Sequence, residues 1–405
     1  MKILFLTMIN IKTIREKGIY QDLLREFIKN GHQVYIVTPT ERRNKETTQI
    51  LVEGDSTVLR VRTLNLQKTN IIEKGLATIS LERKFANAIK KYFSKVKFDL
   101  VLYSTPPITF AKVVQYIKKR DHAKTYLLLK DIFPQNAVDI GLLSNKGLKG
   151  FLYQFFRKKE KELYKISDKI GCMSQANSDY LLKNNPTIDA SRVEVCPNSI
   201  EYVETSLTEE EKKAMRKKYG IPLDKTVFVY GGNLGKPQGI PFIMNCLKAQ
   251  ENNNNIFFLI VGNGTEYDKL ASCCENSSNV KLMSALPRED YDKMIHACDV
   301  GMIFLDYRFT IPNFPSRLLS YMQAGLPVLA CTDKNTDIGE IITRNNFGWW
   351  CESNQIETFN GCIEQAFQDD LVLKGKRAKE YLRMNYTTEL AFQVIQRSYD
   401  ESITN

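Results

Sequence analysis

Apolar runs of five to eight residues alternate with amphipathic stretches along nearly the whole chain, a rhythm that predicts parallel strands interleaved with helices. KILFLTMI reads as a first buried strand, GIYQDLLREFIKNG as an amphipathic helix closed by Gly31, and HQVYIVTP as a second strand, which makes a βαβ opening. STVLRVRTL, FDLVLYS, KTYLLLKDIFP and KIGCMS continue the strands, with helices LERKFANAIKKYF, TFAKVVQYIKKR and QANSDYLLKNN between and after them. Pro134 ends the third of these strands, because it cannot donate to a ladder. After VEVCPNSI the composition shifts to ETSLTEEEKKAMRKKYGIP, acidic and then basic, and a domain junction is expected near residues 198–206. The rhythm then resumes with strands TVFVYGG, NIFFLIVG, VKLMSAL, VGMIFLD and LPVLA, and the chain ends in helical sequence from Lys374. The expectation is an α/β protein with a first domain over 1–200, a second over 201–375 and terminal helices over 376–405.

Ligands of open parallel sheets lie beyond the carboxyl ends of the strands, so the turns there are where chemistry is sought. In PNFPSRLLSYMQAGLPVLACTDKNTDIGE (312–340), Pro315 breaks the preceding strand and Ser316 is a suitable N-cap for a helix whose Leu318, Leu319 and Met322 share a face. Free N–H groups at such a helix start, with Arg317 in its first turn, suit a phosphate or diphosphate; an ordinary loop and helix with a surface arginine is the alternative. The glycine-rich turn from Gly231 to Gly239, with Gly232, Asn233, Lys236 and Gln238, lets backbone approach a ligand and offers one point charge; a tight structural turn is the alternative. It is not a Walker A loop, and the first turn, NIKTIREKG ending in Gly18, carries no G-x-G-x-x-G. Lys130 and Asp131 also stand at a strand end, as substrate contacts or as a simple surface ion pair.

The formal charge of +11 asks for an anionic partner. Its cations concentrate in Lys84–Phe98 and Lys146–Lys165, and in the second run Phe151, Leu152, Phe155 and Phe156 precede Arg157, Lys158 and Lys159. That mixture suits a helix on an anionic lipid surface, or one packed on the core with a basic solvated side. Nothing suggests an RNA-recognition module, and no apolar run approaches the ~18–20 residues of a membrane helix. The short apolar run at the N-terminus lacks a cleavage site, so the cytoplasm is expected. Nine cysteines without C-x-x-C spacing and three scattered histidines, His32, His122 and His296, give no metal-ligand pattern. Asp290-Tyr291-Asp292 has a D-x-D form, but its place in a helix's first turn favours a helix-dipole role over metal.

Taken together, FVYGGNLGKPQGI, FLIVGNG, DVGMIFL and FPSRLLSYMQAGLPVLA, with LLLKDIFPQNAVDIGLL and KIGCMSQANSDYLL in the first half, resemble family-four glycosyltransferases of the GT-B fold. The resemblance is strongest to the branch that builds bacterial O-antigen and capsule repeats, which includes a proposed N-acetyl-L-fucosamine transferase. It implies two Rossmann-like domains facing each other across a cleft, an acceptor-binding first and a donor-binding second, with terminal helices packing back on the first. By the same resemblance the nucleotide base lies near Gly262, Gly264 and Ser284 to Leu286, the Gly18 loop covers the phosphates, and Lys130 and Asp131 lie near the sugar. The family retains anomeric configuration without a metal or other cofactor. The chain departs from the pattern where members commonly carry an arginine and a lysine in the first donor-domain turn and two glutamates in E-x7-E; Asn233, Gln238, Pro312 and Ser320 stand there. Arg317 and Lys236 are then left to neutralise the diphosphate, Ser320 to hydrogen-bond ribose, and Asp131 is the one candidate general base.

The leading expectation is a transferase moving a sugar from a UDP-sugar to a saccharide on a polyprenyl diphosphate, peripherally bound at the inner face of the plasma membrane. A catalytically silent nucleotide-sugar-binding subunit, motivated by the missing glutamates, and a UDP-sugar epimerase are the alternatives.

Overall fold

The alternation is realised as two separate sheets in the computed structural model, which describes residues 1–65 and 71–404. The first unit, Met1–Glu201 with Thr388–Asn405, is built on β1 (Lys2–Leu6), β2 (Gln33–Glu41), β3 (Gln49–Glu53), β4 (Ser56–Thr63), β5 (Leu100–Ser104), β6 (Lys124–Leu129), β7 (Lys169–Cys172) and β8 (Val193–Val195). Their order in the sheet is β3-β4-β2-β1-β5-β6-β7-β8. All neighbours are parallel except β3 with β4, and Leu4 of β1 is in register with Tyr35 and Val101. Central strands buried on both faces need apolar side chains on both, which is why β1, β5 and β6 are built on the apolar runs ILFL, LVLY and YLLL. Leu4, Val37, Val101 and Leu127 pack under Phe85, Phe110 and Val114 on one face; Phe5, Ile36, Leu102 and Leu128 meet Leu24 and Phe27 on the other.

The second unit, Tyr202–Thr387, holds β9 (Thr226–Asn233), β10 (Ile256–Asn263), β11 (Val280–Met283), β12 (Val300–Phe304), β13 (Val328–Thr332) and β14 (Gly348–Glu352) in the order β11-β10-β9-β12-β13-β14, all parallel. Phe228, Tyr230, Phe258, Met302 and Leu329 form one face of its core with Ile243, Leu247 and Phe359 from the covering helices. The acidic-then-basic segment is the helix over Glu209–Tyr219, opened by a Thr208/Glu211 capping box, its charges following the helix dipole, and closed by Gly220 at φ 60°.

Terminal sequence divides differently from the expected single block over 376–405. The helix over Leu371–Asn385 stays with the second unit, where Lys374 Nζ donates to Asn346 Oδ1 at 2.6 Å and Tyr381 meets Phe347 at 5.4 Å. Only the helix over Thr388–Thr404 belongs to the first unit, with Phe392 edge-on to Phe27 at 4.9 Å and Ser398 Oγ donating to Glu194 Oε1 at 2.6 Å.

Candidate functional site

In the second sheet the order runs outward from β9 to β10 and β11 on one side, and from β12 to β13 and β14 on the other. The crevice beyond the carboxyl ends of β9 and β12 is therefore the switch point, where adjacent loops diverge and leave room for a ligand. Two segments expected to carry chemistry arrive there, the turn after β9 and the loop from β12 to the helix over Arg317–Ala324.

Glycines at the end of β9 make space for side chains from elsewhere. A Cβ on Gly231 would stand 1.9 Å from Tyr291 Oη, and one on Gly232, which has φ 137°, would stand 3.1 Å from Arg317 Nη2. The Arg317 guanidinium lies over the Tyr230 ring at 4.5 Å, while Tyr321 Oη, one helical turn on, accepts the Gly231 N–H at 3.1 Å. Arg317 Nη1 is shut off from solvent and has no hydrogen-bond partner among the described residues. A guanidinium cannot shed its charge, so this leaves a fixed cation with an open donor beside glycine backbone.

The surrounding loops are stapled together. Asp306 takes Arg308 Nε at 2.8 Å and Nη2 at 2.7 Å, and its own N–H donates to Pro237 O at 2.9 Å, which joins the β12 loop to the turn after β9. Asn233 Nδ2 donates to Gln238 Oε1 at 2.8 Å and the Gly235 N–H reaches the same oxygen at 3.3 Å, so this pair braces the turn. Gly262 and Gly264 press against that turn: a Cβ would fall 1.9 Å from Gly232 O or 2.0 Å from Leu234 O. Asn263 Oδ1 accepts the Ala285 N–H at 3.4 Å, bringing in the segment with exposed Ser284 and half-buried Leu286. Lys236 is exposed and carries no ion pair among the described residues.

Two expectations at this helix start need correction. Ser316 is exposed and makes no capping bond, because its own backbone is already helical at φ −64° and ψ −15°, which turns its hydroxyl away from the N–H groups it would accept. Leu318 is fully buried, so its side chain serves the core and offers a ligand nothing. Pro315 and Ser320 remain half-buried beside Arg317.

The first sheet has its own switch point at β1, with β2 on one side and β5 on the other. Thr105 Oγ1 accepts the N–H groups of Lys130 at 3.0 Å and Asp131 at 3.1 Å, fixing both residues just past β6. Among the described residues they form no ion pair with each other or with anything else, and neither is fully exposed, so the surface-pair alternative does not hold. Burial pushes the Asp131 carboxyl up to about 6, against the pull of its bond from Asn136 Nδ2 at 2.7 Å, and burial draws the Lys130 ammonium down to about 8. Both thus change protonation near neutral pH, as proton-transfer groups do. At Gly18 the N–H is spent on Asp22 Oδ1 at 3.1 Å, so it is not a free phosphate donor. The loop before it is held by Arg25, whose Nη1 donates to Ile14 O at 2.7 Å and Glu16 O at 3.0 Å.

The raised Asp131 value gives a stability prediction with a definite sign. The folded chain holds a proton there that the unfolded chain releases near pH ~3.9, so this group makes stability fall as pH rises from about 4 to about 6 and leaves it level above that. Asp131→Asn removes the effect, so the variant's Tm relative to wild type should be higher at pH 7.5 than at pH 4.5. Equal Tm differences at the two pH values would show that the carboxyl titrates normally.

The sequence reading missed Tyr230, Tyr291 and Tyr321 around Arg317, and Asp306 with Arg308. An acid and a cation two residues apart after a buried strand was a usable signal for the last pair; the tyrosines come together only through folding. Among the described residues no three His, Cys, Asp or Glu side chains gather as a cation's ligand set would.

Comparisons with known proteins agree across both halves. The family model described as Glycosyltransferase Family 4 matches residues 20–202, and that described as Glycosyl transferases group 1 matches residues 211–386. The chain is 24% identical over 334 residues to the probable glycosyltransferase WbjE of Pseudomonas aeruginosa, covering 80% of each. It is 21% identical over 291 residues to the putative colanic acid biosynthesis glycosyl transferase WcaI of Escherichia coli, covering 70% of this chain and 66% of that one. Among solved structures, Anabaena HepE in complex with UDP-glucose superposes with a TM-score of 0.67 at 16% identity, over 99% of each chain. An E. coli structure described as trehalose-6-phosphate bound with UDP-2-fluoro glucose superposes with a TM-score of 0.72 at 10% identity, over 98% of this chain and 99% of that one.

Proposed function

Because the chain belongs to the group 1 glycosyltransferases of the GT-B type, we propose that it moves a sugar from a UDP-sugar to a lipid-linked saccharide, with retention of anomeric configuration and without a resident metal. The observation that carries this reading is the half-buried Arg317 guanidinium, its Nη1 shut off from solvent and unpartnered among the described residues, at the switch point of the second sheet. As the glycosidic bond to the diphosphate breaks, negative charge collects on the leaving oxygen. A fixed cation in a site of low dielectric stabilises that charge more than it stabilises the bound donor, which lowers the barrier. Lys236, exposed on the adjoining turn, adds a mobile charge to the same diphosphate, and Ser320, one turn along the helix from Arg317, hydrogen-bonds the ribose. Asp131, able to hold or release a proton near neutrality, receives the acceptor hydroxyl's proton, and Lys130 steadies the sugar.

Uridine as the base is supported by the HepE complex with UDP-glucose and by the UDP-2-fluoro glucose in the E. coli structure. A role in bacterial surface polysaccharide, O-antigen or capsule, is supported by the colanic acid assignment of WcaI. An N-acetylated amino sugar is the donor we place first, from the branch that the motifs resemble, and the inner face of the plasma membrane is where a polyprenyl-linked acceptor would be met.

Thermal shift with a panel of UDP-, GDP- and TDP-sugars tests the donor, since a ligand at 100 times its Kd stabilises by about 2.7 kcal/mol. The UDP series should raise Tm and the others should not. Transfer to lipid-linked acceptors is then followed with the stabilising donor. A Tm rise without transfer to any acceptor pool would favour a silent binding subunit, and release of free epimerised sugar would favour an epimerase.

A further inference from the structure

We propose that the helix over Gly147–Ile166 docks the first unit on an anionic lipid bilayer, its N-terminal half entering the interface and its C-terminal half resting on the headgroups. This goes beyond the transferase reading and does not depend on it. Phe151 is 77% exposed, Leu152 48% and Phe155 40%, and Leu142 in the preceding loop is 54% exposed. Apolar side chains this large rarely gather on a solvent-facing helix surface without a partner.

The order of residues along the helix says which partner. Phe151, Phe155, Lys158, Glu162 and Lys165 recur at helical spacing and form one outward stripe, aromatic toward the start and net cationic toward the end, where Lys159 pairs with Glu162 and Lys161 flanks the stripe. From Phe151 to Lys165 is about 21 Å at 1.5 Å per residue. Lys158, Lys161 and Lys165 are exposed and have no ion-pair partner among the described residues. Lys159 and Arg157 add no uncompensated charge to this face, because Lys159 pairs with Glu162 at 2.7 Å and Arg157 pairs with buried Glu160. A strand of nucleic acid would favour rings and cations interleaved along its track. On the outward stripe the rings precede the cations, which matches the step from acyl chains to phosphates and complements the anionic charge of those phosphates. Among the described residues no helix is long and apolar enough to cross a membrane, so the contact would be interfacial.

The exposed rings are backed by others. Phe155 meets Phe156 at 5.3 Å, and Phe156 meets Phe133 at 5.0 Å, two residues beyond Asp131. Docking through this face would therefore bring the loop that carries Asp131 toward the bilayer surface.

The test is sedimentation of the full chain with vesicles of phosphatidylcholine alone or mixed with phosphatidylglycerol, at 50 and 300 mM salt. Wild type should bind the mixed vesicles at low salt, at least tenfold less at high salt, and weakly to phosphatidylcholine. Phe151→Ser with Phe155→Ser, and separately Lys158→Glu with Lys161→Glu and Lys165→Glu, should each lower binding at least tenfold. Both variants should keep the Tm rise given by the stabilising nucleotide-sugar; the lysine variant should keep the wild-type Tm, and the Phe151/Phe155 variant should lose only what the Phe155–Phe156 contact contributes. Absence of binding to mixed vesicles at low salt, equal binding by the Phe151/Phe155 variant, or displacement from vesicles by a single-stranded polynucleotide at equal charge would overturn the proposal. Nucleotide-sugar stabilisation without vesicle binding would sink the docking alone and leave the transferase reading in place.

Discussion

Arg317→Ala should lower kcat for sugar transfer by about 10²- to 10³-fold, the loss typical of removing one pre-positioned charge-stabilising group. The same change should cost the fold roughly 1 kcal/mol, the size of the cation–π contact with Tyr230 that it deletes. The reason for the difference is that charge on the leaving diphosphate grows as the sugar departs, so the guanidinium is worth more in the transition state than with donor merely bound. KM for the donor should therefore move much less than kcat. Arg317→Lys separates charge from geometry. It keeps a cation but loses the planar group that lies on Tyr230 beside Gly232, and it should recover only part of the rate. Tyr230→Phe should be mild, since the ring face remains, whereas Tyr230→Leu should approach the Arg317→Ala phenotype in kcat. Steady-state kinetics on these four variants decides it: turnover by Arg317→Ala within threefold of wild type would remove the guanidinium from the mechanism.

How far that site could be read in advance depended on where its parts lie in sequence. Arg317 was found because its neighbours announce a strand-to-helix turn: proline, small polar residue, arginine, then apolar positions at helical spacing. The two-domain α/β design was legible for a related reason, since central parallel strands are short apolar runs that stand out from the helices between them. The bed beneath Arg317 left no such trace. Tyr230, Tyr291 and Tyr321 are 91 positions apart at the extremes and meet because Gly231 and Gly301 have no side chains to keep the rings out. Pairing information was missing too at β3, whose Gln49–Glu53 run is largely exposed and shows no apolar face, and at β14, where GWWCE is a five-residue run with no alternation to mark it. At Ser316 the residue type was right for a cap, but the backbone enters the helix one residue too early for the hydroxyl to turn back. Local chemistry thus located the loops, while contacts across the sheet decided which side chains in them are free.

Those contacts also make the glycines of the β10 turn more demanding than a ligand-approach argument suggests. Leu234 donates its N–H to Asn263 O at 2.9 Å and accepts the Glu266 N–H at 2.9 Å, so the turns after β9 and β10 are laced backbone to backbone. In that lacing a Gly262 Cβ would fall 1.9 Å from Gly232 O, and the obstructing atom is main chain, which cannot swing aside as a side-chain tip can. Gly262→Ala must therefore spread the two turns, at a cost of about 1–3 kcal/mol for overpacking. In a unit of this size that is a fall in Tm of roughly 3–10 °C. The carbonyl that would move belongs to Gly232, the residue against which Arg317 is seated, so donor stabilisation should also drop, by more than the loss of Tm alone implies. Gly361→Ala provides the contrast within the same unit, because a Cβ there meets nothing within 4 Å and the half-buried helical site should gain slightly from alanine's better propensity. Thermal melts of both variants with and without the stabilising UDP-sugar make the comparison. If Gly262→Ala melts like wild type and responds fully to donor, the two turns are not packed as tightly as this structure places them, and Arg317 is held by something other than the β9 backbone.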